Sequence, residues 1–280
     1  MGCAARAPLP PQAVDLNRRG AEALMVLDLG AAQSRFELAL EFNPRFTEAW
    51  VNLGWVELQR GNFDLASHHF ERAKSLNADL PTPHHALGVL AERVGKEDAA
   101  EGHYRDALLV APDFAEARVN LGRLLYARGA FDAARAEFAK LTEVAPQNPA
   151  GHLGWAEALL KLKRLTEAEE AVFRYRRRFG DTPEARIVVA RLLLERGDHA
   201  GAEEVLEPVT QHRDLGVVAR AWAWISVARL EAGEEARANQ AADEALRFDP
   251  NDAVAKSAKD AVRARVISGG GRPQHRPIRR

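Results

Sequence analysis

The chain has 280 residues, 46% of them apolar, and its 39 basic and 40 acidic residues leave a formal net charge of −1. This balance produces no whole-protein field that would draw the chain to nucleic acid or to an anionic membrane surface. The single cysteine, Cys3, excludes an internal disulfide and a cysteine-based metal site, and no apolar run approaches the length of a membrane span.

Residues 1–12 are small, contain prolines and carry little charge, which predicts a disordered segment. Its Gly2-Cys3 pair allows three interpretations: an unmodified cytoplasmic start, N-myristoylation of Gly2, or a lipid on Cys3. Arg6 stands where the myristoylation signal requires Ser or Thr. Gly-Cys-Ala-Ala resembles the end of a bacterial lipoprotein signal, and the arginine- and alanine-rich composition is typical of a bacterial protein. A lipid on Cys3 would require a start upstream of Met1. Localisation stays open between the cytoplasm and the periplasmic face of the outer membrane.

Residues 115–148 contain the fullest version of a pattern that recurs every 34 residues. They predict a helical hairpin, because apolar residues at three- and four-residue steps lie on one face of each of two helices. Gly129 ends the first helix, and Pro146 follows the second. The repeated apolar and small residues are Leu121, Gly122, Leu125 and Tyr126 in the first helix, and Phe131, Ala134, Phe138 and Leu141 in the second.

Three preceding segments carry the same residue types at the same offsets. These residues resemble the tetratricopeptide repeat family, in which a large residue, a Leu-Gly pair, two alanines, an aromatic residue and a proline recur at fixed places. The resemblance implies an all-α fold, a right-handed α-solenoid of antiparallel helix pairs, whose small residues let two helices approach closely. The matching residues are Leu16, Gly20, Ala32, Phe36, Ala39 and Pro44; Trp50, Leu53, Gly54, Gly61, Phe63, Ala66, Phe70 and Ala73; and Leu87, Gly88, Gly95, Ala100, Tyr104, Ala107 and Pro112.

The pattern is weaker in the next two repeats and then recovers. Lys163 replaces the turn glycine, Phe173 lies one place late, and Pro208 should kink or shorten a second helix. We expect seven repeats, a helix that covers the last core face, and a flexible basic tail. The predicted units are the N-terminal segment 1–12, a solenoid 13–267 with repeats 13–46, 47–80, 81–114, 115–148, 149–182, 183–216 and 219–252 and a capping helix 253–267, and the tail 268–280.

The sequence contains no phosphate-binding glycine loop, metalloprotease motif, calcium loop or serine-nucleophile motif. We therefore predict that the chain is not an enzyme and binds no cofactor. The pairs His68-His69 and His84-His85 are candidate metal ligands. Adjacent residues on a helix point about 100 degrees apart, so neither pair can close on one ion without help. We therefore predict no metal site.

The fifth repeat carries the densest positive charge of the chain. Cations in the last turns of a helix complement its dipole, so this patch has a structural explanation as well as a nucleic-acid-binding one, and nucleic acid is the less favoured partner. The residues are Lys161, Lys163, Arg164, Arg174, Arg176, Arg177 and Arg178.

In solenoids of the resembled family the first helices line a concave groove. The corresponding positions here are Val51, Asn52, Trp55, Leu58 and Gln59 in the second repeat, His85, Val89, Glu92 and Arg93 in the third, and Glu116, Val119, Asn120, Arg123 and Tyr126 in the fourth. The candidate partner-binding residues are Asn52, Trp55, Gln59, His85, Arg93, Asn120, Arg123 and Tyr126.

Trp55 is either an exposed binding hot spot or a side chain that packs on a neighbouring repeat or on the N-terminal segment. The family's best-known groove clamps the carboxylate of chaperone tails. Asn52 and Asn120 match the middle asparagine of that clamp, but its flanking basic residues are absent here. A chaperone tail is therefore not expected, whereas an extended peptide held by its backbone remains consistent with the family pattern.

These observations predict a non-catalytic protein–protein interaction scaffold that binds an acidic or extended peptide or protein segment in its groove. Its predicted role is that of an assembly or adaptor factor in a bacterial multiprotein complex. One alternative is an outer-membrane-anchored lipoprotein, attached through Cys3, that serves pilus, motility or secretion machinery. The other is an accessory or nucleic-acid-binding module that uses the basic patch of the fifth repeat.

Overall fold

A computed structural model describes residues 9–269, with side chains described to residue 265. This part of the chain forms fifteen α-helices and one 3-10 helix, without β-strands, which confirms the predicted all-α class. It divides into two compact units, one ending at Pro146 and one beginning at Gln147.

The first unit contains α1 (Pro11–Met25), α2 (Leu29–Phe42), α3 (Thr47–Arg60), α4 (Phe63–Leu76), α5 (Pro81–Arg93), α6 (Glu97–Val110), α7 (Ala115–Ala127) and α8 (Phe131–Val144). Each odd-numbered helix packs against the even-numbered helix that follows it, forming a hairpin. The first helices of successive hairpins also contact one another, α1 with α3, α3 with α5 and α5 with α7. The unit is therefore a stack of helix pairs in which the first helices form one layer.

The second unit contains α9 (Pro149–Lys161), α10 (Leu165–Phe179), α11 (Pro183–Glu195), α12 (His199–Leu206), a 3-10 helix (Glu207–Gln211), α13 (Leu215–Glu231), α14 (Glu235–Phe248) and α15 (Ala253–Gly269). Helix α12 stops just before Pro208 and continues as the 3-10 helix, which confirms that this proline shortens the second helix. In α15, Ala258 and Val262 pack against Leu230 and Ala238.

The glycine of each Leu-Gly pair makes room for an aromatic ring. A Cβ atom added to Gly54 would lie 2.3 Å from the Phe70 ring of the partner helix. These glycines therefore let a ring lie against the backbone of the first helix. The same relation holds for Gly20 with Phe36, Gly88 with Tyr104, and Gly122 with Phe138.

The turn between the helices of a hairpin adopts a left-handed conformation even where glycine is missing. Gly61 and Gly129 have φ values of 81° and 77°, which glycine adopts without a steric penalty. Leu27 and Lys163 occupy the equivalent positions with φ values of 59° and 58°. Lys163 therefore keeps the turn of the family pattern, at a local backbone cost of about 1–2 kcal/mol.

The fourth residue of each of three hairpins anchors the preceding loop. Trp50 Nε1 donates to the Pro44 carbonyl at 3.0 Å, and His84 Nε2 donates to the Ala78 carbonyl at 3.1 Å. Arg118 Nη2 makes the equivalent bond to the Pro112 carbonyl at 2.5 Å. Three chemically different side chains thus bond the carbonyl six residues earlier, which gives the buried His84 a structural role.

No helix within residues 9–269 has the length and apolar character needed to cross a bilayer. Cys3 lies outside the described residues, as does most of the predicted tail 268–280. The lipidation of Cys3, and the outer-membrane alternative that depends on it, stay predictions.

Candidate partner-binding face

The candidate residues lie on α3, α5 and α7, the first helices of three successive hairpins of the first unit. We call the surface that these three helices present the first-helix face. Their contacts with one another form the layer on which the face is built. The structure places Gln59, Arg93 and Arg123 as exposed side chains, and Asn52, Trp55, His85, Asn120 and Tyr126 as half-buried ones.

His85 is the centre of the polar and aromatic contacts on this face. Asn120 Nδ2 donates to His85 Nε2 at 3.0 Å, which requires that ring nitrogen to be unprotonated. The ring is surrounded by aromatic groups from two helices, α3 and α6, and from the loop before α7. The ring centroids of Phe114, Tyr104 and Trp55 lie 5.5, 5.9 and 6.3 Å from that of His85. Burial lowers the pKa of His85, so its ring is neutral at neutral pH.

A pH-dependent stability follows from this burial. The folded-state pKa of His85 lies below its ordinary value of about 6.5, so protons bind preferentially to the unfolded chain. The stabilising contribution is complete above about pH 6.5 and is lost as the pH falls toward the folded-state pKa. Between about pH 7.5 and 5.5, the free energy of unfolding should fall less steeply for His85→Gln than for wild type. The two slopes, measured by urea titration at each pH, should differ by up to about 1.4 kcal/mol per pH unit. An identical pH dependence for both proteins would contradict the assignment.

Two asparagine contacts repeat along the face. Asn52 Nδ2 donates to Asn17 Oδ1 at 2.9 Å, and Asn120 contacts His85; each pair spans 35 residues. In both pairs the sixth residue of one hairpin bonds the fifth residue of the hairpin before it. Each asparagine uses one N–H in this contact, so its carbonyl oxygen can still accept a hydrogen bond from a ligand.

Trp55 is not the fully exposed aromatic that one interpretation predicted. Its ring packs edge-on against Phe70 with the centroids 5.3 Å apart, and it also contacts His85 of the next hairpin. Trp55 therefore packs partly on its own hairpin, through Phe70, and partly on the neighbouring repeat, through His85. Because it remains only half-buried, the outer part of the ring still belongs to the face.

Two apolar positions assigned to the groove are buried. Val51 and Leu58 are each only 5% exposed and pack with Phe70 and Leu87 in the core. The family pattern predicted which side of the helix they occupy, but the next hairpin covers them. They are removed from the set of residues that a ligand could contact.

Tyr104 was identified only as a repeat aromatic, and its polar role was missed. Its ring is fully buried, while its hydroxyl donates to Glu92 on the first-helix face. Burial, followed by the hydrogen bond to Glu92, raises the pKa of Tyr104 far above its ordinary value, so the hydroxyl remains a donor. The available signal was a tyrosine at the position where other hairpins have Phe36, Phe70 and Phe138.

Arg93 and Arg123 supply positive charge to the face. Both are exposed, and neither forms an ion pair with any residue whose side chain the structure describes. Tyr126 lies against Phe131 at 5.3 Å between ring centroids. The face thus combines unpaired guanidinium groups, asparagine amides and the edges of aromatic rings.

The basic patch of the fifth repeat is neutralised in part. Arg174 pairs with Glu170 at 2.8 Å, Arg176 with Asp181 at 3.1 Å, and Lys163 with Glu195. These ion pairs weaken the positive field that the nucleic-acid alternative requires. Within residues 9–269 there is no group of three or more side chains placed to hold a metal ion.

Stacked helix pairs with a first-helix layer define an α-helical repeat protein. Two family models described as tetratricopeptide repeat match the chain, one at residues 93–154 and the other at residues 18–81, 129–183, 153–212 and 188–253. The chain therefore belongs to the tetratricopeptide repeat family. This fold generally acts as a non-catalytic scaffold for protein interactions.

Solved structures share the fold at low sequence identity. A tetratricopeptide repeat protein from Parabacteroides merdae ATCC 43184 is 20% identical with a TM-score of 0.68, covering 91% of this chain and 100% of that one. PilF of Pseudomonas aeruginosa is 20% identical with a TM-score of 0.58, covering 75% and 95%. PilW, described as a type IV pilus biogenesis factor, is 19% identical with a TM-score of 0.62, covering 72% and 93%. No curated protein matches the chain significantly.

Proposed function

We propose that the chain is a non-catalytic scaffold that binds an extended, acidic segment of a partner protein on the first-helix face. The observation that carries this proposal is the pair of exposed, unpaired arginines, Arg93 and Arg123, beside asparagine amides with free acceptor groups. A carboxylate-bearing peptide can pair with the guanidinium groups, while its backbone N–H groups donate to the asparagines. Through this contact the scaffold acts as an assembly or adaptor factor of a bacterial complex.

Glu92 limits which peptides fit. Its carboxylate accepts the Tyr104 hydroxyl, so part of its charge is engaged within the face. An acidic ligand side chain placed directly over Glu92 would still meet a like charge, whereas one placed over Arg123 would not. We therefore expect spaced acidic residues rather than a continuous acidic run.

Reversing Arg123 to glutamate should weaken peptide binding by about 1–3 kcal/mol, because an attractive contact becomes a repulsive one. The probe is the tightest peptide selected by wild-type protein from a displayed library of random peptides, and its Kd is measured by calorimetry. Arg72→Glu is the matched control, since Arg72 is also exposed and without an ion pair but lies on the second helix α4.

The melting temperature separates binding from folding. Arg123→Glu should lose affinity with little change in melting temperature, because the side chain is exposed. Equal losses of affinity and stability would make Arg123 a structural residue. Selected peptides without acidic residues, or an Arg72→Glu variant as weak as Arg123→Glu, would reject the proposed ligand class.

A further inference from the structure

The second unit contains a cleft of about 870 Å³. It is bounded by the end of α10, by α11, α12 and the 3-10 helix, and by α13. Val189, Leu193, Val205 and Trp222 form its half-buried apolar lining. This volume lies within the roughly 300–1,000 Å³ that is typical of ligand-binding pockets.

The cleft results from the irregular sixth hairpin. Helix α12 has eight residues, whereas the second helices α8 and α14 have fourteen each. Pro208 converts the remainder of the element into a 3-10 helix, which follows a different path. The apolar side chains of α11 and α13 that a full second helix would cover are therefore left partly open.

The charges around the cleft leave two carboxylates without partners. Asp181 pairs with Arg176 and Arg186, and Glu203 pairs with Arg229 and Arg237. Two further carboxylates, those of Glu204 and Glu207, are exposed and form no ion pair with any described side chain. Residues three apart on a helix are neighbours, so these two carboxylates repel each other unless a cation lies between them.

We infer that residues 270–280 of the same chain dock in this cleft. That segment carries Arg272, Arg276, Arg279 and Arg280 and no acidic residue. Its guanidinium groups match the unpaired carboxylates of Glu204 and Glu207, and its one large apolar residue, Ile278, matches the apolar lining. The occupant is therefore a basic segment with a single aliphatic anchor.

The segment starts close enough to reach the cleft. Arg265 Nη1 of α15 donates to the Leu230 carbonyl at 2.7 Å, and Leu230 follows Arg229 of the cleft wall. Helix α15 then ends at Gly269, about 6 Å further along its axis. A path around α13 and along it to Trp222 requires about 20 Å, whereas eleven extended residues span about 36 Å.

The test is a titration of a fluorescent synthetic peptide of residues 270–280 by anisotropy. It is carried out with the full chain and with a chain that ends at Gly269 and so keeps every described helix. Because the attached segment competes at a high effective concentration, the full chain should bind the free peptide at least about tenfold more weakly than the shortened chain.

The charge arrangement is tested in the shortened chain. Glu204→Lys combined with Glu207→Lys should weaken binding at least about tenfold. Glu41→Lys combined with Glu48→Lys changes the net charge equally at exposed, unpaired positions of the first unit and should bind like wild type. If the lysine variant melts early, Glu204→Gln with Glu207→Gln replaces it and should show a smaller loss.

Three results would overturn the inference. The first is an absence of saturable binding to the shortened chain. The second is equal affinity in the full and shortened chains, which would mean that the attached segment does not occupy the cleft. The third is a Glu204/Glu207 variant that binds as tightly as the Glu41/Glu48 control, which would place the peptide elsewhere.

Discussion

Phe70→Ala should lower the free energy of unfolding by about 3–5 kcal/mol, because it removes a fully buried ring and leaves a cavity between two helices. The Phe70 ring is 0% exposed, lies against the backbone at Gly54 and packs against Trp55. Neighbouring hairpins share this core, so the cavity cannot close by a movement of one side chain. Urea or thermal unfolding monitored by circular dichroism measures the loss.

The matched control is Phe42→Ala in the same unit. Phe42 is 50% exposed, so its truncation removes little buried surface and should change stability by less than about 1 kcal/mol. Similar losses for the two variants would show that burial in the structure does not determine the cost.

A companion substitution tests the contact with Gly54. In the wild-type background, Gly54→Ala should destabilise the fold, because the new Cβ would lie 2.3 Å from the Phe70 ring. In the Phe70→Ala background the same substitution should be neutral or stabilising, since alanine favours a helix over glycine by about 1 kcal/mol. Additive effects would contradict the proposed steric contact.

Glu137→Ala should lower the free energy of unfolding by about 2–3 kcal/mol. Removing one partner of a fully buried ion pair costs about 3–5 kcal/mol, and the loss is smaller here because Glu137 is partly solvated. Its carboxylate accepts Arg118 Nη1 at 2.5 Å, and the Arg118 side chain is only 10% exposed. The Arg118 Nε atom is buried and already lacks a hydrogen-bond partner. Loss of Glu137 therefore leaves a buried charge with only the Pro112 carbonyl as an acceptor.

Two comparisons isolate this effect. Glu143→Ala, on the same helix, removes a solvent-exposed pair with Lys140 and should cost at most about 1 kcal/mol. Arg118→Met combined with Glu137→Met removes both charges and should be more stable than Glu137→Ala alone. A double variant as unstable as the single one would show that the loss does not come from an unpaired arginine.

The helix pairs were predictable from sequence because their signals are local. Leu53-Gly54, Leu87-Gly88 and Leu121-Gly122 recur every 34 residues, which is the length of one helix pair, and the three- and four-residue steps within each helix indicate its apolar face. Pro208 acts on its own backbone, so the shortened α12 was predictable as well. In these cases the residue and its structural effect lie within one hairpin.

The polar part of the candidate face was less predictable. His85 and Asn120 were both singled out, but their contact joins residues of successive hairpins and depends on how these stack. Trp55 admitted two interpretations because its burial depends on the position of His85. The partner-binding roles of all eight candidate residues remain predictions for the binding experiments.

The sequence by itself determined the family, the helix pairs and the side of each helix that carries apolar residues, since these depend on spacing along one chain segment. Only the tertiary structure decided that Val51 and Leu58 are buried and that the Tyr104 hydroxyl reaches Glu92. The cleft beside Glu204 and Glu207 likewise depends on the tertiary structure. The physical reason is that burial, hydrogen bonding and cavity volume depend on how neighbouring hairpins pack, which a repeat pattern does not encode.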